Sequence, residues 1–214
     1  PVAALAVVAL FAGNAAMPHA WENITWGFQS QFPLALLCLF LQLRGSFEHA
    51  PLTRGWWWAQ AAGVAGLFTL ASMWIAPLTI VLVSLWTDPR GDRRRWWPLV
   101  TVALGVAILA AIRLTRPPDL TFIQTVGSPL RFLYALLDLL GWPNAWPGSL
   151  AVLNLPLLLF ALQLRGRRDA PAFDRTVLAL GLWGAAQAAA LAYGRNVDYG
   201  GYVSRYGELL AVLV

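Results

Sequence analysis

The apolar positions of this chain come in long runs, separated by short polar stretches rich in arginine, proline and glycine. Runs that are apolar on every side suit buried or membrane-crossing helices, not the one-faced helices of a water-soluble surface. The pattern predicts spans over residues 1–12, 24–43, 56–71, 73–87, 96–114, 149–164, 176–193 and 205–214. The run Pro33 to Leu43 is too short to cross alone, since a span needs about 20 residues. That crossing is therefore placed from Ile24, which draws Gln29, Ser30 and Gln31 into the membrane. Pro33 is expected to kink it by removing a backbone donor. Pro77 interrupts a later run and predicts a helix break around Ser72 to Pro77, with the next helix starting near Met73. In Pro129 to Leu140, Leu130, Leu133, Leu136, Leu137 and Leu140 form a stripe, with Arg131 and Asp138 off it. At that length an interfacial helix is expected, not a span. Gly181, Gly184, Ala185, Ala188 and Ala189 suit close helix contact.

Composition narrows the class. Of 214 residues, 59% are hydrophobic and 12% charged, and mean hydropathy is +0.61. Soluble domains run near a quarter charged. The fold class expected is all-α: one polytopic transmembrane bundle of seven or eight apolar helices, with one interfacial helix. Both ends fall inside apolar runs, so the chain is expected to be an internal piece of a longer protein. A single cysteine, Cys38, excludes an internal disulfide or a Cys-based metal site. Net charge is +5, all fifteen basic residues are arginine, and they sit in turns, which argues against nucleic-acid binding.

Arginine also suggests the topology. Ten arginines fall on one side (44, 54, 90, 93–95, 165, 167, 168 and 175) and five on the other. The richer side is expected to be cytoplasmic, which puts residues 44–55, 88–95 and 165–175 inside a bacterial inner membrane. Residues 17–23, 116–149 and 194–204 then gather outside. The stretch Met17 to Phe32 crowds charge, amides and aromatics beside an apolar run. On a helix, His19, Glu22 or Asn23, Trp26 and Gln29 or Ser30 share a face. Polar groups at that depth point to a cavity or partner helix, although tryptophan at a boundary also serves as a plain anchor. Arg195 and Arg205 flank a Gly-Gly loop, with Tyr206 and Glu208 beyond. Outward arginines suit an anion such as phosphate, held by two parallel hydrogen bonds, or they snorkel to headgroups. The candidate substrate-binding residues are thus His19, Asn23, Trp26, Gln29, Gln31, Arg195, Arg205 and Tyr206. No metal cluster, phosphate loop or Ser-His-Asp set is visible. No cofactor is implied, and a divalent cation stays open.

Three patches resemble bacterial membrane proteins of the GT-C glycosyltransferase type. They are Trp21-Glu22-Asn23 followed by WGFQSQF (26–32), FLYALLDLLGWP (132–143), and Gly194-Arg195 with Ser204-Arg205-Tyr206. The resemblance implies transfer of a sugar from a polyprenyl-phosphate donor to an envelope glycan or lipid on the outer face. It also implies an acidic base in a first external loop, which would lie upstream of Pro1, and a phosphate-binding role for Arg205. Glu22 is the one acid here placed to act as base. Two other readings stay open: a transporter or flippase for a lipid or polyol, and a membrane subunit without chemistry.

Overall fold

The computed structural model describes residues 31–89, 91, 96–115, 128–141 and 147–194. Among these residues the chain is all-helical, with seven α-helices and no strand. They are α1 (Gln31–Glu48), α2 (Arg54–Leu67), α3 (Ile75–Thr87), α4 (Leu99–Thr115), α5 (Pro129–Leu140), α6 (Pro147–Leu164) and α7 (Ala172–Gly194), with a 3-10 turn over Ala71–Trp74.

α1 buries Ala35, Leu36, Leu39, Gln42 and Leu43 and leaves Leu34, Leu37 and Leu41 on its outer face. A polar turn is expected from Arg44, yet the helix continues to Glu48. The cause is local. Arg44 reaches Glu48 one turn on, with Nε 2.8 Å from Oε2 and Nη2 3.3 Å from Oε1, and such i,i+4 pairs favour the helix. Thr53 then caps α2: its hydroxyl accepts from Trp56 N at 3.5 Å and donates to Ala50 O at 2.7 Å.

α1 and α2 form a tight hairpin because small residues line the seam. A Cβ on Gly45 would stand 2.6 Å from the Ala59 Cβ, and one on Gly63 would overlap the Gln42 amide. The break after α2 falls at residues 68–70, before the 3-10 turn Ala71–Trp74 that leads into α3, a little earlier than Pro77 suggests. Thr69 Oγ1 donates to Gly66 O at 2.7 Å. Pro77 itself lies in the first turn of α3, where the backbone N–H has no intrahelical partner in any case. It is therefore tolerated and does not break the helix.

α7 is the hub. It packs on α1, α3, α5 and α6. Its Trp183, Leu178 and Ala179 are buried in one core with Leu39 and Leu43 of α1, Ile80 and Val83 of α3, and Leu164 of α6. A Cβ on Gly181 would overlap Leu157 of α6. The Arg175 guanidinium, near the start of α7, lies 6.0 Å from the ring of Phe47, near the end of α1, so the two helices run antiparallel. Gln31 and Gly194 are consequently at the same end of this pair. There α5 lays Phe132, Ala135, Leu136, Leu139 and Leu140 against Ala188, Leu191 and Ala192. Its Leu130, Leu133, Tyr134 and Leu137 remain exposed, so the leucine stripe expected on one face divides between the α7 contact and the surface.

Among the described residues one helix, Ala172–Tyr193, is long and apolar enough to cross a bilayer. The apolar helices Ser72–Thr87 and Gly148–Leu164 are shorter. At 1.5 Å per residue, 17 residues rise about 25 Å, short of a hydrocarbon core of about 30 Å.

Candidate functional site

At the other end of the α1–α7 pair, the described residues line a half-open cavity of about 380 Å³. It lies where the α1–α2 turn, the end of α3 and the start of α7 meet. Ser46, Glu48, Trp56, Ile80, Asp88 and Arg175 are among the residues that line it. Trp56 is almost wholly buried.

The polar groups around it differ in what they have left to offer. Ser84 Oγ donates to Ile80 O at 2.7 Å and Thr87 Oγ1 to Val83 O at 2.9 Å, so both hydroxyl protons return to their own helix. Ser46 is different: its Oγ accepts from Gln60 Nε2 at 2.9 Å, which leaves its own proton to donate. The Arg44 guanidinium, through its hydrogen bond and its charge, holds the Glu48 carboxyl below the usual carboxylate range. Asp88 pairs with Arg168 at 2.9 Å. Arg175 Nε donates to Ala170 O at 3.0 Å.

The turn between α6 and α7 is fastened to the end of α3. Trp86 Nε1 donates to Ala161 O at 2.6 Å, and Gly166 N donates to Trp86 O at 2.9 Å. Arg165 lies 5.4 Å from the Trp86 ring centre. Gly166 has φ +71°, a left-handed conformation that glycine adopts without strain after a helix.

Between the helices sit buried amides. Gln42 has neither side-chain group hydrogen-bonded, Gln60 has its oxygen unpartnered and Gln187 its nitrogen, and the indole N–H of Trp183 is also unpartnered. Gln42 and Gln60 stand on either side of the α1–α2 seam, one turn inward from Ser46 and Trp56. The signal for Gln42 was present in the sequence as an amide inside an apolar run. For Arg175 and Ser46 nothing in the sequence marked a cavity, because it is formed by three segments far apart in the chain.

Of the residues expected to form a site, Glu22, His19, Asn23, Trp26, Gln29, Arg195, Arg205 and Tyr206 lie outside the described residues. Gln31 opens α1, and only its backbone is described. No group of His, Cys, Asp or Glu suited to a metal ion occurs among the described residues. Comparison with protein-family models, curated proteins and solved structures finds no match.

Proposed function

We propose that this chain is part of a multi-pass helical membrane protein of the glycosyltransferase type. It takes a sugar from a polyprenyl-phosphate donor and passes it to an envelope glycan or lipid at the outer face of a bacterial inner membrane. The observation that carries the reading is a juxtaposition. α1 and α7 share one core and run antiparallel, so the chain enters α1 at Gln31 and leaves α7 at Gly194 at a common end. The segment before Gln31 carries His19, Glu22, Asn23, Trp26 and Gln29, and the segment after Gly194 carries Arg195, Arg205 and Tyr206. In this reading Arg205 and Arg195 bind the donor phosphate, Glu22 serves the acceptor hydroxyl, and the amides and indole orient the sugars.

The bilayer setting is supported by the outer faces of α4 and α6. Leu104, Val106, Val152, Leu155, Leu158 and Leu162 are all exposed. An uncharged apolar surface of this extent is unfavourable in water and favourable against lipid.

The test is transfer from a radiolabelled polyprenyl-phosphate sugar in membranes carrying the full-length protein. Arg205→Ala is expected to abolish product while protein level and detergent elution stay as in the wild type; undiminished transfer by that variant removes the phosphate role. A second reading, a lipid or polyol transporter, draws on the helix break between α2 and α3 and the buried amides, both features of transporter cores. Uptake into vesicles with no glycosyl product would favour it.

A further inference from the structure

Among the described residues, the cavity at this end has one uncommitted charge. Both acids in its wall already face an arginine of their own: Glu48 faces Arg44 and Asp88 faces Arg168. Arg175 has no carboxylate partner among the described residues. Its guanidinium carbon lies 6.0 Å from the Phe47 ring centre and its Nε donates to Ala170 O, so the two terminal nitrogens have no hydrogen bond among the described residues, and the side chain lines the cavity.

We propose that this cavity is a phosphate-binding site, with the Arg175 fork as its anchor and Ser46 as a second donor. A planar guanidinium presents two parallel N–H groups to two phosphate oxygens. The Ser46 hydroxyl accepts from Gln60, so its proton is available to a third oxygen. Trp56 and Ile80 give an apolar wall for the ester side of the ligand. The volume, about 380 Å³, falls among small-molecule sites and holds one phosphate headgroup with part of its glycerol.

The same chemistry has two sources: the headgroup of an anionic phospholipid, or a soluble phosphate ester. The site is independent of the donor site proposed above. It lies at the Glu48 and Ala172 ends of α1 and α7, whereas Gln31 and Gly194 lie at the other.

The experiment uses the full chain, purified in detergent free of phospholipid. Two probes are added separately: glycerol 3-phosphate, and phosphatidic acid in mixed micelles. The thermal unfolding midpoint and native mass spectrometry read binding. A rise in midpoint with either probe is expected in the wild type, with affinity reduced about tenfold or more in Arg175→Gln and partly restored in Arg175→Lys. Arg167→Gln makes the same charge change outside the cavity lining and is expected to bind as the wild type does. Ser46→Ala, which leaves the Arg175–Phe47 contact intact, is expected to weaken binding several-fold and serves if Arg175→Gln fails to fold. A response to glycerol 3-phosphate identifies a soluble ligand; a response to phosphatidic acid alone identifies a headgroup site. Equal binding by the wild type, Arg175→Gln and Ser46→Ala, or no response to either probe, overturns the proposal.

Discussion

Single residues set the local costs. Gln42 is 1% exposed, and neither amide group has a hydrogen-bond partner. A buried unpaired polar group costs about 1–3 kcal/mol, and an apolar replacement of similar shape relieves it. Gln42→Met keeps the unbranched shape, so it is expected to raise stability by about 1 kcal/mol, read as a higher unfolding midpoint in detergent. A lower midpoint would mean that a bound group satisfies the amide. Glu48 is the opposite case, an exposed acid with a partner. Its folded pKa is depressed, so its contribution is present above the unfolded value and lost as pH falls through the folded one. Solvent screening keeps that contribution small, and Glu48→Gln is expected to cost under about 1 kcal/mol at pH 7. The difference from the wild type should vanish in acid, which a pH series of denaturation midpoints checks.

Elements are held by close approach and by a few long-range bonds. The α1–α2 seam depends on Gly63, where a Cβ would overlap the buried Gln42 amide and force that side chain to shift. A helix favours alanine over glycine by about 1 kcal/mol, but overpacking costs about 1–3 kcal/mol. A larger side chain makes the outcome one-sided: Gly63→Leu is expected to split the hairpin and lower the unfolding midpoint sharply. The α6–α7 turn depends on Trp86, whose indole satisfies one of the last carbonyls of α6. Trp86→Phe keeps a ring under Arg165 and removes the donor. About 1 kcal/mol should be lost, with faster hydrogen exchange confined to residues 165–170. Composition shows neither effect, since glycine 63 and tryptophan 86 stand in apolar runs much like their neighbours.

The molecule as a whole is organised about α7, the helix that touches α1, α3, α5 and α6. Its exposed apolar faces lead to one expectation at this scale: the expressed chain stays with the membrane pellet after an alkaline carbonate wash. Release into the supernatant would count against the bilayer reading. Helical class was legible in the sequence, because apolar runs and proline or glycine breaks act within a few residues of one another. The α5 helix was legible too, from leucine spacing in Pro129 to Leu140. The continuation of α1 to Glu48 was not, because the polar letters suggested a turn while an Arg44–Glu48 pair held the helix. The candidate residues Glu22, Arg195 and Arg205 were chosen by residue type and order, and their surroundings lie outside the described residues. What the sequence determined by itself is therefore the part of the fold set by local forces: the all-helical class and most of the helices among the described residues. Only the tertiary structure decided that α1 and α7 run antiparallel, that Gln42 is buried without a partner, and that Ser46, Trp56 and Arg175 surround one cavity. The antiparallel pairing and the cavity depend on packing between segments more than a hundred residues apart, and the burial of Gln42 depends on the facing helix α2; no local pattern encodes which faces will meet.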